Sequence, residues 1–408
     1  ANLLGLCLLC VAVVSGLTIP ALYFGGDALL SLLRAPELAP YLILVPPFVF
    51  INGVFLALNY WNSRTRHFGR LSVARVISSL ATTGTQLGAG FSGHATGGSL
   101  IGANLVGLSV STGVLGGQIW RDDHVLLRKS ISFREMLEGL KRYKKFPLFD
   151  STSALLNAVS WQIPVFLLAT FFSPVIVGFY ALGFRVLQLP MNLIGSAIAQ
   201  VFFQRAAEAH KSGDLAPLVR NIVDLLLKVV MFPMVMLAVV GPDLFIVVFG
   251  EGWGEAGIYI QILSVWAIFW FLYSAMSTIY VVLEKQRFGL RFNIVNLSTR
   301  FLSLLIGGIA GNVFLALALF SLSGAVTYGI FCLVLFDMAG VTAMDVISSF
   351  IRIFAFSVPG LCVLLFIKFM AMSPLVTLIV SCMLIALYYV AIYVKDSQVH
   401  GLLSRPHA

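Results

Sequence analysis

The chain has 408 residues, of which 59% are hydrophobic and 11% are charged, and its formal net charge is +9. Soluble domains carry roughly 25% charged residues, so this composition excludes an ordinary soluble protein. Apolar runs long enough to cross a hydrocarbon core of about 30 Å recur along the chain, whereas a membrane barrel has alternating segments of about 10 residues. The sequence therefore predicts an all-α, polytopic integral membrane protein.

Taken in chain order, the apolar runs predict twelve transmembrane helices. The connections between helices three and four and between helices five and six are only a few residues long, which leaves no room there for an external domain. The predicted spans are 2–24, 39–61, 71–93, 97–120, 147–172, 174–203, 222–249, 257–283, 290–310, 312–336, 346–370 and 374–394.

Basic residues cluster on one side of these spans, within 64–70, 121–145, 205–220 and 285–291. Cytoplasmic loops of membrane proteins carry an excess of Lys and Arg, so these loops and the C-terminus are predicted to be cytoplasmic. The same distribution accounts for the positive net charge, and no nucleic-acid partner is expected.

The longest polar segment, 121–146, follows span four and carries Phe133, Met136, Leu137 and Leu140 on one helical face. Lys and Arg surround that face, which favours an amphipathic helix on the anionic inner leaflet. A solvated linker is the alternative.

Two pairs of similar segments recur in the same order, six spans apart. The stretch "GDALLSLL" (26–33) resembles "GPDLFIVVF" (241–249), and "HFGRLSVARVISSL" (67–80) resembles "RFGLRFNIVNLSTRFLSLL" (287–305). An even number of intervening helices predicts two six-helix lobes in parallel repeat.

The first lobe lacks counterparts of spans five and six, so we expect fourteen helices, with two upstream of this sequence. The predicted domains are an N-lobe of four helices at 1–120, a basic linker at 121–146, a C-lobe of six helices at 147–336, and two additional helices with a cytoplasmic tail at 337–408.

The sequence offers no catalytic or metal-binding pattern. The histidines are scattered over loops and the tail, the five cysteines lie in apolar runs, and no phosphate-binding loop, HExxH or GxSxG motif is present. We therefore expect no metal, no cofactor and no enzymatic activity. A membrane glycan polymerase or glycosyltransferase is the weaker alternative, because it needs a substantial external loop with acid or base groups.

Four stretches of the sequence carry a family resemblance. They are "VGFYALGFRVLQLP" (177–190), "AIAQVFF" (197–203), "GPDLFIVVFGEGWGEAGIYIQIL" (241–263) and "EKQRF" (284–288). These stretches resemble the bacterial polysaccharide-transporter family, the O-antigen and exopolysaccharide flippases. That family belongs to the multidrug/oligosaccharidyl-lipid/polysaccharide exporter superfamily, and the likeness extends from Leu3 to about residue 304.

The resemblance implies a flippase for undecaprenyl-pyrophosphate-linked oligosaccharide in the bacterial inner membrane. It would carry the glycan from the cytoplasmic to the periplasmic face by alternating access. Its expected partners are that substrate, membrane lipids, and a polymerase and chain-length regulator of the same pathway. A cation-coupled multidrug antiporter of the same superfamily is the alternative, but it would be expected to use buried carboxylates, whereas the mid-span charges here are mainly arginine.

Three arginines within spans are candidates for binding the pyrophosphate. Arg185 lies about 16 Å past the start of span six, and Arg300 lies about 13 Å into span nine, at 1.5 Å per residue. Arg75 occupies the matching place in the first lobe, nearer the cytoplasmic surface, where it can snorkel. Arginine at membrane depth is costly, so each is expected either to bind an anion or to anchor helix packing through backbone carbonyls or a carboxylate.

Polar residues of spans five and six are further candidates for the substrate cavity. Asn157, Gln162 and Gln200 carry amides that suit sugar hydroxyls, although amides in bilayers also bond between helices. Asp150 begins "DSTS" after Pro147 and is a candidate proton site, with helix capping as the favoured alternative.

Overall fold

The computed structural model describes residues 2–32, 36–65, 67–94, 96–130, 132, 134–136, 138–139 and 145–395. Within these ranges the regular structure is entirely helical, which confirms the all-α prediction. The chain divides into two compact units, residues 1–152 and residues 153–408. The lobe and linker boundaries drawn from the sequence repeat stay a prediction.

The first unit contains four long helices. The proline pair at positions 46 and 47 begins the second of them, because proline suits the first helical turn. The small apolar core of the first unit includes Leu58, Trp61, Ala74, Leu115 and Ile119. The elements are α1 (Asn2–Leu32), a 3₁₀ segment (Pro36–Leu44), α2 (Val45–Arg64), α3 (Phe68–Phe91) and α4 (Gly97–Ser130).

Helix α4 continues past the predicted end of span four at 120. The Trp61 indole donates a hydrogen bond of 2.8 Å to Asp123, and Arg70 forms an ion pair with Asp122. Residues 121–130 are thus the last turns of α4, and these contacts join them to α2 and α3. Of the predicted amphipathic face, Met136 is buried, and the other three members lie outside the described residues.

The second unit holds the greater part of α5 and all later elements. In this unit the helix that begins at Pro174 ends at Pro190, and a π-helical turn follows it. Proline has no backbone N–H, so it interrupts the regular series of helical hydrogen bonds. The elements are α5 (Lys145–Phe171), α6 (Pro174–Pro190), the π turn (Met191–Gly195), α7 (Ser196–Ser212), α8 (Leu215–Phe249), a 3₁₀ turn (Glu251–Trp253), α9 (Gly254–Met276), α10 (Ile279–Val282), α11 (Gln286–Ile309), α12 (Val313–Met338), α13 (Ala343–Phe369) and α14 (Pro374–Lys395).

Helix α9 lies at the centre of the second unit and packs against α6, α8 and α12. It is apolar around most of its circumference, as a fully buried helix is expected to be. Gly257 of α9 meets Gly241 of α8, and a Cβ atom on Gly257 would lie only 2.4 Å from the Cα of Pro242. Small residues at this crossing therefore allow the two backbones to touch.

Ion pairs connect α8 to α13. Their order along both helices is the same, so α8 and α13 run in the same direction, as the predicted spans seven and eleven do. The pairs are Arg220 with Asp345, Asp224 with Arg352, and Asp243 with Lys368.

Each of the twelve predicted spans overlaps helical structure, which confirms a polytopic membrane fold. Nine helices within the described residues are long and apolar enough to cross a membrane, and two further apolar helices, Leu155–Phe171 and Pro174–Pro190, are shorter. The remaining predicted span is α3, which is rich in Gly, Ser and Thr and is therefore less apolar.

Candidate functional site

A polar cavity of about 210 Å³ lies inside the second unit, between α5, α9, α11 and α12. Its walls combine three asparagines and two serines with six aromatic residues, and none of them carries a formal charge. The lining residues are Asn157, Trp161, Trp270, Tyr273, Ser274, Ser277, Tyr280, Gly289, Phe292, Asn293, Asn296 and Tyr328.

Helical periodicity brings these residues to the cavity. Positions three or four apart share one face of a helix, and each long helix contributes such a stripe. Helix α5 presents Asn157 and Trp161, while α9 presents Trp270, Tyr273 and Ser274. Helix α11 presents a longer stripe with the same spacing, made of Gly289, Phe292, Asn293 and Asn296.

The aromatic walls are held by contacts between rings. Trp270 stacks on Trp266 with ring centroids 5.2 Å apart and an interplanar angle of 6°. Tyr273 stacks on Phe292 at 4.0 Å, and Tyr328 meets both of these rings edge-on at 5.4 and 5.1 Å. Such packed rings have few alternative rotamers, so they offer a preformed apolar surface to whatever enters the cavity.

Arg300 is buried behind this wall, with 1% of its surface exposed. Its Nη1 donates hydrogen bonds to the carbonyl oxygen and hydroxyl of Ser160, at 3.2 and 3.4 Å, and its Nη2 donates to the Tyr328 hydroxyl at 2.9 Å. The guanidinium carbon lies 4.2 Å from the centroid of the Trp161 ring. Arg300 therefore reaches the cavity through Trp161 and Tyr328, which line it.

No carboxylate within the described residues forms an ion pair with Arg300, and its Nε has no hydrogen-bond partner there. The aromatic face of Trp161, the two Ser160 oxygens and the Tyr328 hydroxyl compensate the buried charge. This arrangement matches the alternative considered from sequence, an arginine tied to a backbone carbonyl between helices. In the described cavity Tyr328 and Trp161 occupy the wall and Arg300 lies behind them, and the prediction that Arg300 binds the substrate stays a prediction.

The other predicted site residues are dispersed. Asn157 lines the cavity, whereas Gln162 is on the same helix but exposed and outside that lining. Arg185 is exposed on α6, and it forms no hydrogen bond or ion pair with the described residues. Arg75 is exposed on α3 in the first unit.

Two predicted residues have side chains outside the described part of the structure. Asp150 lies in α5 and Gln200 lies in α7. Their assignments as a proton site and a sugar ligand stay predictions. Among the described residues, no group of three or more His, Cys, Asp or Glu side chains is placed to hold a metal ion.

Most residues of the cavity were not predicted from the sequence, including Trp270, Tyr273, Asn293 and Tyr328. A signal for part of it was present, because α11 carries Phe292, Asn293, Asn296 and Arg300 at helical spacing within an apolar run. A stripe of amides and aromatic residues beside a charged residue indicates a polar face, and such a face must be turned away from lipid.

The comparisons with known proteins agree on a family and a fold. The sequence matches the family described as "Polysaccharide biosynthesis protein" over residues 7–258. Among solved structures, the chain is similar to the lipid II flippase MurJ in an inward closed conformation, with a TM-score of 0.76 and 12% sequence identity. That match covers 96% of this chain and 84% of the other, and at this identity it establishes the fold alone. Among curated proteins, no sequence matches significantly.

Proposed function

The chain belongs to the polysaccharide biosynthesis protein family, and from that premise we propose that it is a flippase for a lipid-linked oligosaccharide. The substrate would be an undecaprenyl-pyrophosphate-linked glycan that crosses the bacterial inner membrane from the cytoplasmic to the periplasmic face. The product would supply O-antigen or exopolysaccharide assembly, where a polymerase and a chain-length regulator act next. The C-terminus would lie in the cytoplasm, on the side of the basic loops.

The observation that carries this proposal is the polar cavity inside a unit made of membrane-spanning helices. Polar side chains at membrane depth are costly, and they persist where they bind something or pair with one another. Asn157, Asn293 and Asn296 stand between aromatic rings without a charged residue in the wall. Amides beside aromatic faces suit a sugar, which has hydroxyl edges and apolar C–H faces.

The fold supports movement of a lipid-linked substrate. The structure with which this chain shares its fold is named a lipid II flippase. Rocking of two helical units around a binding site is a general way to expose that site to each side of a membrane in turn. A long apolar lipid tail would remain in the bilayer during such a movement, while the polar head passes through the protein.

The arginines suit the anionic part of the substrate. Arg185 is exposed on α6 and unpaired within the described residues, so its guanidinium fork is available for bidentate contact with phosphate oxygens. We assign Arg185 the pyrophosphate contact, and Arg75 of the first unit stays a candidate for an anion contact.

The proposal is tested by deleting the gene in its native host. We expect surface polysaccharide to disappear while the complete lipid-linked oligosaccharide accumulates on the cytoplasmic side. A glycosyltransferase or polymerase would instead leave incomplete or unpolymerised glycan, and normal surface polysaccharide would contradict the proposal. A drug-susceptibility panel on the same strain distinguishes the antiporter, whose loss would change susceptibility and leave the glycan intact.

A further inference from the structure

We infer that the cavity of the second unit is a binding subsite for one hexopyranose ring of the transported glycan, with Tyr328 and Asn296 as its hydrogen-bonding pair and Arg300 as the residue that positions Tyr328. This inference rests on the proposed flippase function and adds a site to it. It is carried by the hydrogen-bonding capacity that the cavity wall leaves unfilled.

The hydroxyl of Tyr328 is the first part of that capacity. It accepts a hydrogen bond from Arg300 Nη2 at 2.9 Å and another from Asn296 Nδ2 at 3.4 Å. A phenolic hydroxyl has two acceptor positions and one hydrogen to donate. Both acceptor positions are occupied and no described residue accepts that hydrogen, so Tyr328 has a donor to offer to the cavity that it lines.

Asn296 supplies the complementary group. Only 3% of its surface is exposed, and its Oδ1 is buried and accepts no hydrogen bond from the described residues. A buried acceptor in this condition calls for a partner, and the cavity is the space that Asn296 lines. Asn296 and Tyr328, which are hydrogen-bonded to each other, thus leave one acceptor and one donor without a partner beside the cavity, and a ligand reaches the buried Oδ1 when the Asn296 side chain turns.

A ligand hydroxyl matches this pair because it both donates and accepts. If the Asn296 amide is turned by 180°, Tyr328 donates to Oδ1, and Nδ2 is then the group without a partner, which a hydroxyl can also satisfy. No lining residue carries a charge that would balance an ion. The wall therefore favours a neutral polyol over a phosphate or an ammonium.

The size and the aromatic surface narrow the ligand to a single sugar ring. A volume of about 210 Å³ is smaller than the 300–1,000 Å³ usual for drug-sized ligands, and the cavity is open, so it suits one ring with the rest of the glycan outside it. The half-buried rings of Trp161 and Tyr280 supply apolar surface against which the C–H face of a sugar can pack. A linear polyol has no such face.

Arg300 acts on the ligand through Tyr328. A hydroxyl that accepts a hydrogen bond from a buried cation becomes a stronger donor, because hydrogen bonds in a chain polarise one another. The guanidinium is held by Ser160 and the Trp161 ring, so its direction toward Tyr328 is set by α5. Arg300 is thus a positioning residue that does not itself line the cavity.

The experiment uses the full chain in lipid nanodiscs and a panel of methyl hexosides, including glucose, galactose, mannose and N-acetylglucosamine forms. Tryptophan fluorescence reports binding, because Trp161 and Trp270 line the cavity. We expect saturable changes with at least one hexoside, and about tenfold weaker binding in Tyr328→Phe, the effect of one lost hydrogen bond. Tyr259→Phe is the matched control, since that hydroxyl bonds Glu255 elsewhere in the unit, and it should bind within about twofold of wild type.

Several results would overturn the subsite. They are the absence of any fluorescence change with the whole panel, wild-type affinity in Tyr328→Phe, and competition by inorganic pyrophosphate or by the linear polyol mannitol. If Tyr328→Phe fails to fold, Asn157→Leu removes a cavity amide on an exposed residue and should also weaken binding. Gene deletion tests transport separately: hexoside binding with unchanged surface polysaccharide would remove the flippase function, whereas lost polysaccharide with no hexoside binding would remove only the subsite.

Discussion

Replacing Arg300 with methionine separates the charge of this residue from its bulk. Methionine keeps a long unbranched side chain and removes the guanidinium. The change deletes hydrogen bonds from a charged group, worth about 1.5–3 kcal/mol each, and a desolvated cation–π contact worth about 2 kcal/mol. It also removes the desolvation penalty of a buried cation, which is several kcal/mol. These opposing contributions are of similar size, so we expect a net change in unfolding free energy within about 2 kcal/mol.

Arg300→Ala adds a packing defect to the same loss of charge. Truncation of a large buried side chain to alanine costs about 2–5 kcal/mol, so this variant should be clearly less stable than Arg300→Met. In a protein unit of this size, the difference corresponds to roughly 4–10 °C in the apparent unfolding midpoint. Arg291→Met, at an exposed position near the start of the same helix, is the control and should change stability by no more than about 0.5 kcal/mol.

The assay combines thermal unfolding in detergent, hexoside binding and glycan export in a strain that lacks its own flippase. We expect Arg300→Met to unfold near the wild-type temperature and yet to bind hexoside about tenfold more weakly, because Tyr328 loses the donor that orients it. If Arg300→Met is as unstable as Arg300→Ala, the guanidinium is a structural anchor. If Arg300→Met binds and exports like wild type, the positioning role is refuted.

Three further predictions address the anion contact, the helix crossing and the topology. Arg185→Ala should abolish most glycan export and Arg185→Lys should reduce it partly, both at wild-type membrane levels; normal export by the alanine variant would exclude a substrate contact. Gly257→Val should destabilise the second unit by about 3 kcal/mol in thermal unfolding because its Cβ meets the α8 backbone, whereas Gly178→Ala, with open space around it, should be neutral or gain about 0.5–1 kcal/mol. In a variant without native cysteines, a cysteine at Ser130 should resist an impermeant thiol reagent in intact cells and one at Gly254 should react; reversed labelling would contradict the orientation.

The helices were predictable because the bilayer imposes a local rule on the chain. A segment that crosses hydrocarbon must satisfy its own backbone hydrogen bonds, so an apolar run of about 20 residues already specifies a helix. The sixth span shows the limit of this rule. Hydropathy reads 174–203 as one helix, but the Pro190 ring and the π turn after it divide α6 from α7. The extension of α4 to Ser130 was not predicted from hydropathy for a related reason. This polar end of the helix is held by contacts of Asp122 and Asp123 with α3 and α2.

The sequence by itself determined a membrane protein with many helices. It also predicted an orientation and indicated that Arg185 and Arg300 require an explanation. It could not distinguish these two residues, because both are arginines in the middle of apolar runs. The tertiary structure separates them: Arg300 is buried against Ser160, which is 140 residues away, and Arg185 is exposed. Burial and hydrogen-bond partners depend on which helices pack together, and helical periodicity carries no information about a neighbour so distant in the chain. The cavity could not be predicted for the same reason, since the polar and aromatic residues of α5, α9, α11 and α12 that line it face one another only after those helices pack.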